Sequence, residues 1–198
     1  MPPPFVHCDP VYQETQINFK GLHNFELLYK MIFDWLKVQK YEHYPTGTDN
    51  VETYFQETLI SPGGPKNNWI WWRTRRKESD MFYYHIEINM QTLVLNTKEV
   101  VFKGEKIKMN DGEINIFIKG FLEVDPTGQW REKDNNFLSS AYQIYKDRDF
   151  WNVIDDKESE VCEHAGLLFE RCKQFLNLMT MASLQKPFHP QLGYPQMQ

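Results

Sequence analysis

The sequence predicts a single α+β domain, a curved antiparallel sheet of about six or seven strands gripping a long C-terminal helix. Three observations predict it. Residues 81–95 alternate Phe82, Tyr84, Ile86, Ile88, Met90, Thr92 and Val94 with Tyr83, His85, Glu87, Asn89 and Gln91, the pattern of a strand with one buried face. Residues 113–124 repeat it with Ile114, Ile116, Ile118, Leu122 and Val124 on one side. Residues 157–182 set Val161, Ala165, Leu168, Phe169, Cys172, Phe175, Leu176 and Met179 at helical spacing. A sheet with one apolar face must cover that face, and a long amphipathic helix is the available cover.

The first strand is expected at residues 16–20 (QINFK), ended by Gly21. Asn24 then caps a helix to about Gln39 whose stripe is Phe25, Leu28, Ile32, Trp35 and Leu36. Residues 40–50 hold turn formers and read as a loop. Residues 51–60 and 69–77 (WIWWRTRRK) are strands of a hairpin, separated by the breaker Ser61-Pro62-Gly63-Gly64-Pro65. After the long strand at 81–95, residues 100–102 and 107–109 flank a tight turn at Lys103-Gly104. Asn110-Asp111-Gly112 reads as another turn. Gly120 interrupts an apolar face and marks a bulge or a bend. Asp125-Pro126-Thr127-Gly128 closes the sheet, and residues 136–148 are helical, with Phe137, Leu138, Ala141, Ile144 and Tyr145 on one face. Phe150, Trp151, Val153 and Ile154 form an apolar connector before the long helix. The domain spans residues 16–182, with extended tails at 1–15 and at the Pro-rich 183–198.

This order resembles the START-like helix-grip superfamily (SRPBCC, polyketide-cyclase-like) over about residues 16–180. The extra helix between the last strand and the long helix departs from that pattern. More narrowly, INFKG followed by a helix, the run KGEKIKMNDGEINIFIKGFLEVD and the downstream Trp130 are similar to a group of archaeal proteins with no established activity. The superfamily resemblance implies an apolar ligand held between sheet and helix, or a role as cyclase, lipid carrier or assembly factor. On that reading Phe82, Tyr84, Ile86, Ile116, Leu168, Phe169 and Cys172 would line the ligand cavity.

Composition bounds the function classes. The 198 residues are 41% hydrophobic and 15% aromatic, enough for a sizeable core. With 22 basic and 27 acidic residues the net charge is −5, which argues against a generally basic nucleic-acid binder. Three cysteines are too few for a disulfide scaffold. No apolar run is long enough for a membrane span, and the start MPPPFVHCDP lacks the basic and apolar regions of a secretory signal, so a cytoplasmic location is expected.

The most distinctive segment is the aromatic-basic strand. Alternation puts Trp69, Trp71, Arg73 and Arg75 on one face and Ile70, Trp72, Thr74 and Arg76 on the other. Tryptophan and arginine are favoured anchors of protein interfaces. The same residues can stack bases and clamp phosphate, and the bland alternative is a strand buried at one end with arginines snorkelling at the other. Pro187 and Pro190 have the spacing of an extended docking segment. His85 and Glu87 would suit acid–base work only if their face lined an enclosed pocket; a solvated outer face is the simpler expectation. Cys162 and His164 lie two apart on a helix and point away from each other, so no metal site is expected, and Cys172 falls in the core stripe. Cys8 is a candidate reactive thiol without a marking neighbour. The glycine-rich phosphate loops and the serine-hydrolase elbow are absent, and no catalytic residue and no cofactor is assigned. The expected role is noncatalytic binding or assembly through protein–protein contacts, using Trp69, Trp71, Trp72, Arg73, Arg75, Arg76, Pro187 and Pro190. A carrier of a small apolar ligand and an RNA-associated factor are the alternatives, nucleic acid being the less favoured.

Overall fold

In a computed structural model, residues 10–48, 50–102, 105–126 and 150–176 are described. They form a mixed α+β architecture in the chain order β1 (Tyr12–His23), α1 (Phe25–Val38), β2 (Glu42–His43), β3 (Glu52–Leu59), β4 (Lys66–Lys77), β5 (Phe82–Phe102), β6 (Glu105–Val124) and α2 (Phe150–Phe175). The six-stranded sheet runs β1-β6-β5-β4-β2, with β3 also on β4. Every pairing is antiparallel. The two short edge partners divide β4 between them: β2 takes Arg75 and Thr74, and β3 runs from Trp72 to Lys66.

The strand parities fuse into two sheet faces. Across the sheet, Trp72, Ile88 and Ile118 are register partners, as are Ile70, Met90, Ile116 and Ile17. All seven are buried, so this inner face is the core. Both helices cover it. On α1, Leu28, Ile32 and Leu36 recur at one-turn spacing and are fully buried, while the Tyr29 and Phe33 rings meet Trp72 edge-on at 4.8 and 6.4 Å between centroids. The Asn24 side chain accepts the Leu27 N–H at 3.0 Å and starts this helix. Lys40, at φ 61, ends it, as the Tyr41 N–H returns to the Leu36 carbonyl at 2.9 Å. On α2, Val161, Ala165, Leu168 and Cys172 form the buried stripe, and the helix lies against β6, β1 and β5.

Gly120 owes its place to that packing. A Cβ there would stand 2.9 Å from Val161 Cγ1 and 3.0 Å from Tyr12 Cβ. The glycine lets α2 approach β6, and the adjoining β1–β6 register shifts between Tyr12 and Thr15.

Several sequence expectations change. Gly21 does not end β1, which runs on to His23, and the expected loop at 40–50 holds the short strand β2. β1 starts at Tyr12, so its first residues lie within the expected N-terminal tail. Asn110-Asp111-Gly112 is not a turn: β6 runs through it, paired with Leu22 and Gly21 of β1. Turn-forming residues give way here to two neighbouring strands that both offer ladder partners. Residues 81–95 and 100–102 join into one strand, interrupted by a register shift between Leu93 and Asn96. That shift reverses the alternation, so Val94, assigned to the core, is 50% exposed and Leu95 is 7% exposed in its place. Finally, the connector at 150–154 is the first turn of α2. The turns at Lys103-Gly104 and after Pro126, the helix at 136–148, Trp130, Met179, Cys8 and both outer tail segments, with Pro187 and Pro190, lie outside the described residues.

Candidate interaction surface

The outer sheet face is built from the opposite parity of the same strands. β4 supplies Trp69, Trp71, Arg73 and Arg75; β5 supplies Tyr83, His85, Glu87 and Asn89; β6 supplies Phe117, Lys119 and Phe121. Both helices pack against the other side, through the buried residues of the inner face. Trp71 is 40% exposed and its ring tilts over that of Tyr54 on β3, 4.6 Å between centroids. Trp69, Phe117 and Phe121 are half-buried on the same face.

The charges on this face are engaged with one another. Arg73 pairs with Glu87 at 3.1 Å and donates to Asn89 Oδ1 at 2.8 Å. Burial lowers the Arg73 pKa, and the neighbouring Glu87 opposes that shift. The Arg75 guanidinium stands 5.7 Å from the rings of both Tyr44 and Tyr83. Lys119 pairs with Glu14 at 2.9 Å. With Arg73 committed to a carboxylate and Arg75 to tyrosine rings, this is an aromatic surface with engaged charges rather than a set of open guanidinium groups.

His85 departs from the solvated face expected for its parity. It is fully buried under the Tyr44 ring, 5.4 Å away and edge-on, and its Nε2 contacts Glu123 at 2.7 Å. Glu87 points to Arg73 instead. His85 and Glu87 therefore share no enclosed pocket on this face.

Two residues expected at the interface are elsewhere. Trp72 is fully buried beneath α1 and offers no surface. Arg76 lies on the inner face, where it joins a polar cluster along α2. It donates to Glu78 at 3.0 Å and sits 5.9 Å from the Tyr84 ring. Lys157 bridges to Glu160 at 2.7 Å and to Glu78 at 3.7 Å, and the Tyr84 hydroxyl donates to Glu160. The Tyr41 hydroxyl meets His164 Nδ1 at 3.1 Å. Burial, then Glu160, raises the Tyr84 pKa; burial, then Arg76, lowers that of His164. The Lys157 hydrogen bond holds Glu160 below the usual carboxylate range. Each group is matched by another, so the cluster ties α2 to β4 and β5.

The residues expected to line a ligand cavity are packed together. Phe82, Tyr84, Ile86, Ile116, Leu168 and Cys172 are buried within one continuous apolar core, with Phe169 against it. Burial pushes the Cys172 thiol up to about 12. Among the described residues no three His, Cys, Asp or Glu side chains are placed to hold a metal ion, and no helix is long and apolar enough to cross a membrane. Sequence reasoning missed Tyr54 and Tyr44, which complete the outer face. Their signal was cross-strand pairing, which needs a register that no single strand displays.

Compared with protein-family models, curated proteins and solved structures, the chain matches none.

Proposed function

We propose that this chain is a noncatalytic binding or assembly protein whose outer sheet face docks another protein, with Trp71 as anchor. The observation that carries this reading is the solvent-facing Trp71–Tyr54 pair on a sheet face that, among the described residues, no helix covers. Tryptophan, tyrosine and arginine supply most hot spots, and here the arginines are already ordered by Glu87 and by the tyrosine rings. Pre-ordered side chains lose little freedom on binding. The same pairing disfavours RNA, which needs guanidinium groups available to phosphate. A cytoplasmic site of action suits the free thiols Cys162 and Cys172. The succession of strand, helix, antiparallel strands and a helix on the inner face supports kinship with START-like helix-grip proteins, with α2 as the gripped helix. A ligand between sheet and helix has less support, because its expected lining residues are packed against each other.

The test is site-specific photocrosslinking in the native host. A photoreactive residue at Trp71 should capture one protein reproducibly, and the same residue at Leu167, exposed on α2, should not. Trp71→Ala with Arg73→Ala should then remove that protein from the purified complex while leaving the fold intact. Full co-purification with the double variant, or RNA as the captured species, would overturn the reading.

A further inference from the structure

β1 forms one edge of the sheet: among the described residues it pairs with β6 and with no other strand. The opposite edge is blunted, since the shorter strands β2 and β3 divide β4 between them. β1 runs for 12 residues without a proline. A register shift interrupts it between Tyr12 and Thr15, and from Thr15 to His23 its pairing is regular. A regular edge of this length is a template for another strand.

The ladder shows which backbone groups are open. The Asp125 N–H donates to the Met81 carbonyl at 2.8 Å, in register with the β5–β6 pairs. Bonded pairs recur at every second residue, so the odd-numbered residues of β6 bond β5 and the even-numbered ones bond β1. Ile114, Ile116 and Ile118 therefore bond Phe19, Ile17 and Thr15. The backbone N–H and C=O groups of Gln16, Asn18, Lys20 and Leu22 point outward from the edge, and no described residue bonds them. Their side chains do not shield them: Gln16 and Asn18 both donate to Asn115 Oδ1 on β6, at 3.5 and 2.6 Å.

The sequence of β1 is complementary to itself. It holds one carboxylate, Glu14, and one ammonium, Lys20, both exposed. Two antiparallel copies related by a two-fold axis bond through their outward residues when the axis lies at Ile17, Asn18 or Phe19. An axis at Asn18 sets Lys20 opposite Gln16, and one at Phe19 sets it opposite Asn18. An axis at Ile17 sets Glu14 opposite Lys20, twice by symmetry, and Gln16 opposite Asn18. Among the described residues Lys20 has no carboxylate partner, and Glu14 already holds Lys119 through Oε2. Lys20 of a second copy thus meets a carboxylate that is in place. We propose that β1 is a dimerisation strand, two copies of this chain joining antiparallel about an axis at Ile17. The two six-stranded sheets then continue into one, with both outer faces on the same side. The inference does not depend on that face binding a partner.

The test uses the full-length chain alone, followed by analytical ultracentrifugation and amide hydrogen exchange over a range of concentrations. The expected result is twice the monomer mass, with the Gln16, Asn18 and Lys20 amides gaining protection as the dimer forms. Glu14→Lys and Lys20→Glu, both at exposed positions, should leave the fold intact by circular dichroism. Each should weaken self-association about tenfold or more, because two attractive pairs become two repulsive ones. Mixing the two variants sets opposite charges together again at both pairs. The mixture should therefore form a heterodimer at a concentration where each variant alone is a monomer. The inference is overturned by a chain that stays monomeric up to its solubility limit, or by a dimer whose β1 amides remain unprotected. It is equally overturned by single variants that associate like the natural chain, or by a mixture no tighter than its components.

Discussion

Trp71 and Trp72 are neighbours in sequence and opposites in fate. One is exposed on the outer sheet face against Tyr54, and the other is enclosed beneath Tyr29 and Phe33. Both faces of β4 carry tryptophan, so composition does not decide which is core. The helices decide it. α1 and α2 bring their buried stripes to the inner parity, and the outer parity is left with aromatic rings whose neighbours are arginines and carboxylates. Among the described residues both helices cover one aromatic face of the sheet, and the other is left as a surface to offer.

The largest effect that tests this contrast is a pair of alanine substitutions. Trp72→Ala should cost about 3–5 kcal/mol, as expected for a large aromatic side chain removed from a packed core. Trp71→Ala should cost less than about 1.5 kcal/mol, the range of one exposed aromatic pair. Urea unfolding of both variants measures the difference. Equal losses would mean that the outer face is covered in solution and would break the contrast.

A smaller effect distinguishes the faces by pH. His23 and His164, both engaged with inner-side elements, have pKa values lowered mainly by burial, as does the more exposed His43. The unfolded chain therefore takes up protons near pH 6.5 that the folded chain resists. Stability should be unaffected above that pH and should fall as pH drops below it, at up to about 1.4 kcal/mol per pH unit for each such histidine. Glu160, whose pKa is lowered by Lys157, loses its contribution only below the ordinary carboxylate range, so the interval from about pH 6.5 to 5.5 belongs to the histidines. Urea midpoints measured across that interval should drop for the natural chain and drop less steeply in His164→Gln. A midpoint that rises on acidification would contradict the burial of these rings.

The contrast also shows what could be read from the sequence. The α+β class, the Asn24 cap, the Leu28/Ile32/Leu36 stripe and the split of β4 into two faces were legible, since each depends on local periodicity or a cap. The long-range facts were not. That Trp72 rather than Trp71 meets a helix depends on where α1 lands, and the burial of His85 depends on Tyr44 reaching back over the sheet. The Asn110-Asp111-Gly112 run carries strong local turn chemistry, overridden by pairing to strands on both sides.

The smallest effect comes from the residue at which the two faces exchange. Strict alternation assigns Val94 to the core, but the register shift after Leu93 turns it outward and turns Leu95 in. The exchange forces a β-branched residue to φ 53, where the left-handed region costs an ordinary L-residue about 1–2 kcal/mol. Asparagine tolerates that conformation far better. Because Val94 is half exposed, little packing is lost on replacing it. Val94→Asn should therefore stabilise the chain by about 0.5–1 kcal/mol. The matched substitution Ile88→Asn, on the same strand before the shift and fully buried, should be strongly destabilising. If Val94→Asn instead destabilised the chain as a core substitution does, the strand would be running in simple alternation through residue 94, with Val94 turned inward and Leu95 outward.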